Sequence, residues 1–131
     1  MKTSRFEDLV QKALDNLPDE FASLLENVSI VVEQEPSRSL LRRLGMRSAS
    51  SLFGLYEGVP QTQRTSHYGL VPPDRITIFQ RAIEQSASSD EEVEEQVRDT
   101  VLHEIAHHFG IGDTRLREIE RGHNRRRSQE R

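Results

Sequence analysis

The chain contains no cysteine and no tryptophan, and aromatic residues make up only 5% of its 131 positions. Without thiols there can be no disulfide framework, no zinc ribbon, no iron–sulfur cluster and no thiolate nucleophile. Any bound metal has to be held by His, Asp or Glu. The scarcity of aromatics leaves the core to Leu, Ile and Val. No stretch approaches the ~18 apolar residues of a membrane span. The opening MKTSRFEDLVQKALDNLPDE is charged throughout and lacks the apolar run of an export signal. A soluble, cytoplasmic protein without a membrane partner is the expectation.

What is present is polar but clustered. Hydrophobic residues account for 34% and charged residues for 31%; the apolar ones group together, which disfavours wholesale disorder. The length supports one modest core. One domain is expected over residues 1–121, followed by a basic flexible tail over 122–131. The net charge of −4 hides an asymmetry, because acids crowd Glu84 to Glu95 and the tail RGHNRRRSQER is basic. No aromatic platform or recognition fold accompanies that tail, so nucleic acid is not the expected partner. Oligomeric state is left open by the sequence, with a monomer favoured.

Hydrophobic periodicity orders the chain. Phe6, Leu9, Val10, Ala13, Leu14 and Leu17 recur at helical spacing, with Ser4 and Glu7 set as a capping box. Pro18 breaks that run or opens the next, PDEFASLLEN, which would bury Phe21, Leu24 and Leu25. VSIVVEQ reads as a strand. Residues 36–51 fit either a loop or a short helix. LFGLYE and RITIFQ read as two further strands, separated by a long loop over Gly58 to Pro73. The strongest helix starts at Ser89 or Asp90, carries four glutamates suited to the positive end of its dipole, and repeats Val93, Val97, Val101, Ile105 and Phe109. Leu102 and Ala106 widen its apolar stripe, and Gly110 is a natural stop. A short last helix around Thr114 to Arg121 would bury Leu116 and Ile119.

That helix ends in HEIAHHFGIGD, residues 103–113, which hold three of the five histidines. Residues four apart on a helix lie one above the other, so His103 and His107 present their imidazoles to one point. Glu104 falls near the same face, where it can reach a water bound to a shared metal; this is the H-E-x-x-H arrangement. A catalytic zinc takes three protein ligands and keeps one position for water. Gly110 can adopt a left-handed conformation and turn the chain, bringing Asp113 back as the third ligand. Zinc lowers the pKa of its water and polarises a carbonyl, and Glu104 is the base that takes the proton. The bland alternative is a solvated histidine-bearing helix end. His108 is rotated away from His107 and reads as a surface residue or a support for the ligands.

HEIAHHFGIGD resembles the H-E-x-x-H-x-x-G-x-x-H/D motif of metzincin-like zincins, with Asp113 at the last position. Together with LPDEFASLLENVSIVVE, LFGLYEGVPQTQR, PPDRITIFQ and TVLHEIAHHFGIGD, it makes the chain resemble the bacterial zincin-like metallopeptidases, the minimal metalloproteases. The resemblance implies an α/β (α+β) zincin-like fold, with a small twisted sheet of three to four strands packed against the motif helix and the N-terminal helices. It implies one catalytic Zn2+ on His103, His107 and Asp113, Glu104 as base, and a peptide or protein as substrate. Larger metzincins carry a methionine turn after the motif, whereas the methionines here are Met1 and Met46; the floor under the metal is therefore built differently, and weaker zinc binding is implied. LFGLYEGVPQ is the expected edge strand for a substrate backbone. Tyr68, in the long loop, is the preferred helper for the oxyanion over Tyr56, His67 and Arg64, and Tyr56 is expected to pack.

Three other readings fit parts of the pattern. A non-catalytic metal-binding or interaction module on the same scaffold needs no Glu104. Two histidines and a carboxylate also describe the non-haem iron triad, although that set usually sits on β structure. Glu104 to His107 and Glu120 to His123 both spell E-x-x-H, as in di-iron bundles, which require four long helices.

Overall fold

The structure, a computed structural model, describes residues 1–58 and 73–129, with side chains through Arg125. In chain order the elements are α1 (Thr3–Asp15), α2 (Asp19–Leu24), β1 (Val28–Glu33), α3 (Arg38–Arg43), a 3-10 turn (Ala49–Ser51), β2 (Gly54–Glu57), β3 (Asp74–Phe79), α4 (Gln80–Ser86), α5 (Asp90–Phe109) and α6 (Asp113–Gln129). The architecture is the expected α+β one. Among the described residues the sheet has three strands in the order β1-β3-β2, with β1 parallel and β2 antiparallel to the central β3.

Register explains which residues enter the core. Ile30 pairs with Ile76 and Val32 with Ile78, while Tyr56 and Gly54 stand opposite the same two isoleucines. Strand side chains alternate between faces, so these residues share the face that α1 and α5 cover. Ile76, Ile78, Val97, Val101, Leu102 and Ile105 form one cluster with Phe6 and Phe21 from the first two helices. The opposite face is polar at its margin, where Arg75 pairs with Glu57 at 3.1 Å and Arg43 approaches the same carboxylate at 4.0 Å.

Helix α5 begins as its sequence predicts. Ser89 accepts from the Glu92 N–H at 3.2 Å, and the Glu92 carboxylate returns a bond to the Ser88 N–H at 2.8 Å. It ends at Gly110, whose φ of 70° is left-handed; its N–H bonds the Ala106 and His107 carbonyls. Phe109 departs from expectation. It continues the apolar stripe in sequence but is 46% exposed, its ring lying edge-on to Tyr56 and His108 at the helix end.

Three other details differ from the sequence reading, and the alternative left open over 36–51 resolves to a helix. Helix α1 starts at Thr3 with Lys2 as N-cap and no side-chain cap, so Ser4 and Glu7 make no capping box. The 36–51 region contains the short helix α3, capped by Ser37. Strand β3 passes directly into α4, which buries Gln80, Ala82 and Ile83 in a stretch with no clear apolar repeat. The last helix runs to Gln129 and not to Arg121. Leu116 and Ile119 anchor it as expected, and His123, one turn further on, bonds the Asn16 carbonyl through Nε2 at 2.9 Å. The expected loop between β2 and β3 lies, over 59–72, outside the described residues.

Strand β2 lies unusually close to α5 at Gly54. A Cβ there would come within 2.6 Å of Thr100 Cγ2 and 3.0 Å of the Thr77 carbonyl oxygen. Thr100 cannot swing away freely, since its hydroxyl donates to the Gln96 carbonyl at 2.7 Å. Gly54→Ala is therefore expected to lower stability by about 1–3 kcal/mol through overpacking, measured by urea unfolding. A change within ~0.5 kcal/mol, the range of an ordinary surface substitution, would show that the strand and helix can part without cost.

Candidate active site

The ridge Thr100, Glu104, His108 on α5 carries β2 along its length. Thr100 touches Gly54, Glu104 accepts a hydrogen bond from the Tyr56 backbone N–H, and the His108 ring stacks on the Tyr56 ring at 3.9 Å between centroids and 16° between planes. Steps of four residues keep these three positions on one helix face. Tyr56 thus meets the helix twice, through its backbone and through its ring.

His103 and His107 stand on the neighbouring ridge, both exposed. His103 Nδ1 lies 2.7 Å from the Asp99 carbonyl oxygen. A carbonyl only accepts, so Nδ1 carries the proton of that bond. In the neutral ring this leaves the Nε2 lone pair pointing outward. That is the state a metal ligand requires, with a backbone carbonyl fixing tautomer and orientation.

Glu104 differs from both histidines in being half-buried. Burial pushes its carboxyl above the ordinary 4.5, and the Tyr56 N–H and the charges of His107 and His103 pull in the opposite direction without cancelling it. Asp99, also half-buried at the start of this ridge, is raised for the same leading reason. A cavity of about 320 Å3 opens beside Glu104 and His103, lined also by Leu52, Phe53, Gly54, Gln96, Asp99 and Thr100. A basic carboxylate, one fixed imidazole lone pair and an adjoining cavity are the parts of a hydrolytic site.

The expected ligand set is only partly assembled. His103, Glu104 and His107 are adjacent on α5, and Gly110 makes the left-handed turn assigned to it. Asp113 emerges from that turn as the first, exposed residue of α6. Among the described residues no three His, Asp or Glu side chains stand together as a metal-binding group, so Asp113 is not joined to the histidine pair in this arrangement. The turn carries the chain straight into a new helix, which fixes Asp113 at its start. The chemistry of the histidine pair suits zinc, while the third ligand would have to be brought in. Tyr68 lies outside the described residues, as do His67 and Arg64.

His108 is more than the bystander its rotation suggests. Its Nε2 is 3.8 Å from Asp74 Oδ2, and the Tyr56 hydroxyl donates to the same oxygen at 2.7 Å. Asp74 is the residue sequence reasoning missed. It opens β3 and is 9% exposed, and the one available signal was an acid placed at the start of the strand DRITIF. The second E-x-x-H, Glu120 to His123, serves packing through the Asn16 bond, and the sheet-containing fold removes the di-iron bundle reading.

Compared with known families, residues 25–123 match the model described as zincin-like metallopeptidase, a span that contains both the motif helix and Asp113. No curated protein matches the chain.

The burial of Glu104 has a consequence for the metal-free protein. A carboxyl raised on folding contributes stability that is fully present below its unfolded value and is lost as pH rises through the folded one. Removing the charge should relieve that loss, and a glutamine carbonyl can still accept from Tyr56. In the presence of a chelator, Glu104→Gln should melt above wild type at pH 7, by a margin that shrinks towards pH 4. A variant that melts lower at pH 7 would mean that the Tyr56 bond outweighs the burial of charge.

Proposed function

Because the chain belongs to the zincin-like metallopeptidase family, we propose that it is a zinc-dependent endopeptidase in which Glu104 is the general base. The observation that carries this reading is the contrast on one helix turn. Two histidines are exposed and available to a metal, and the carboxylate between them is half-buried, raised and bonded to an edge strand. A module that merely held metal would have no use for a carboxylate kept basic in this way.

His103, through Nε2, and His107 would hold the zinc, with Asp113 as the third protein ligand after a shift of the α5–α6 turn. When bound, zinc lowers the pKa of water and polarises the substrate carbonyl. The rest falls to the chain. Among the described residues strand β2 is an edge of the sheet, and a peptide lying along it would pass the carboxylate of Glu104. Glu104 takes the proton of the attacking water and delivers it to the leaving nitrogen, as general base and then general acid. The Tyr56 N–H fixes the carboxylate during both transfers and leaves lone pairs for the water. Tyr68 remains the candidate for steadying the oxyanion.

A non-catalytic metal-binding or interaction module is the second reading, favoured by the separation of Asp113 from the histidine pair. The two are distinguished by comparing zinc content with cleavage of an unstructured peptide library. Glu104→Ala should retain zinc and lose cleavage by about 10^2-fold or more. Asp113→Ala should weaken zinc binding by about tenfold or more. A zinc-loaded wild type that cleaves nothing in a broad library would eliminate the peptidase reading.

A further inference from the structure

The cavity of about 320 Å3 beside Glu104 extends across two ridges of α5. Thr100 and Glu104 lie on one, Asp99 and His103 on the other, and Gln96 precedes both. Residues 51–54, from the 3-10 turn into β2, close the opposite side. Leu52, buried, and Phe53, half-buried, supply an apolar wall. Asp99 is the group without an assigned task. Its backbone carbonyl is taken by His103 Nδ1, but among the described residues its carboxylate accepts no hydrogen bond and makes no ion pair. It is half-buried all the same. Burial is the largest influence on its pKa and raises it; the charges of Arg98 and His103 oppose that rise and Glu95 assists it. A carboxylate drawn partly out of water without a partner is destabilising, and a cation entering the cavity would offset this.

We propose that this cavity receives a basic side chain of the peptide, lysine or arginine, and that Asp99 selects it. The proposal rests on the peptidase reading only in that the peptide lies along β2. A basic side chain has an apolar stem and a charged head. Leu52 and Phe53 suit the stem, and the Asp99 carboxylate with the Gln96 amide oxygen suits the head. An acidic side chain would meet Asp99 and Glu104 as like charges. A neutral apolar one would strip water from the Asp99 carboxylate without supplying a donor. Neither lysine nor arginine is among the described residues that line the cavity, so no resident cation fills it. Reach and separation both follow from the helix. Asp99 lies one turn before His103, about 6 Å along the axis, within the span of a basic stem that leaves the peptide beside His103. It also lies on the other ridge from Glu104, so the charge it draws in stays clear of the general base.

The test separates the pocket from catalysis. Three short peptides that differ at one position, lysine, arginine or uncharged norleucine, are titrated into the full chain under chelator, which prevents cleavage, and followed by NMR. At least one basic peptide should bind about tenfold more tightly than the norleucine peptide, the worth of one charged hydrogen-bonded contact, and should shift the ring signals of Phe53. Asp99→Asn keeps the backbone bond to His103 and should bring the affinities to within about twofold of one another. Gln96→Lys exchanges two good helix formers and sets the chain's own ammonium three residues before Asp99, where it can pair with the carboxylate; it should have the same effect. Glu7→Gln, an equal loss of charge at an exposed position of α1, should leave the preference intact. Equal or absent binding of the three peptides by wild type overturns the pocket. So does a basic preference that survives in either Asp99→Asn or Gln96→Lys, or one that Glu7→Gln also removes. Binding with the expected preference and no cleavage by zinc-loaded wild type would retain the pocket and remove the peptidase reading. Cleavage without a basic preference would do the reverse.

Discussion

The contact between strand β2 and helix α5 is the constraint on which the site depends. A strand and a helix normally pack with their side chains between them. At Gly54 there is none, and the strand comes down onto Thr100. That approach brings the Tyr56 N–H within hydrogen-bonding distance of Glu104 two residues later. Had the strand been held off by a Cβ, Glu104 would face solvent like the histidines beside it, with an ordinary carboxyl. One missing side chain therefore helps set the basicity of a carboxylate on another element.

The Tyr56 ring makes the same contact from the other side. Stacked on His108 and tied by its hydroxyl to Asp74, it pins the C-terminal half of β2 to both α5 and β3. A hydrogen bond to a charged group is worth about 1.5–3 kcal/mol, more than a neutral cross-strand pair contributes. Such a strand of four residues is too short to hold its position by ladder bonds alone. Its placement against Glu104 owes as much to Tyr56 and Gly54 as to its pairing with β3.

Periodic features were legible in the sequence and singular ones were not. The three strands, the apolar stripe of α5, its Ser89 cap and the left-handed stop at Gly110 all follow from local pattern and residue type. So does the pairing of His103 with His107, because helical spacing alone determines it. Three-dimensional neighbours with no fixed spacing escaped: Asp74 beneath Tyr56, the stacking of His108, and the close approach at Gly54. Helix α4 was missed because Gln80 is buried by bonds to Gln34, Glu84 and the Met1 carbonyl, a polar means of burial that no hydrophobic count detects. The continuation of α6 past Arg121 was readable in principle, since Leu116, Ile119 and His123 keep one face, but the density of arginine obscured it.

The separation of Asp113 from the histidine pair has a physical logic of its own. Asp113 opens α6, where the helix dipole favours its negative charge. Three residues on, Leu116 is sunk in the core. Drawing Asp113 towards His103 and His107 would mean unwinding that first turn while Leu116 keeps its place. The Gly110 turn supplies the needed freedom, because its left-handed conformation costs glycine little and a Cβ there would meet nothing. The energy to reorganise the turn can come only from the bond that the carboxylate would make to a metal. If Asp113 completes the site as proposed, metal affinity and the order of the α5–α6 turn would be two measures of one equilibrium, and a site completed by its own ligand would bind that ligand more weakly than a preassembled one.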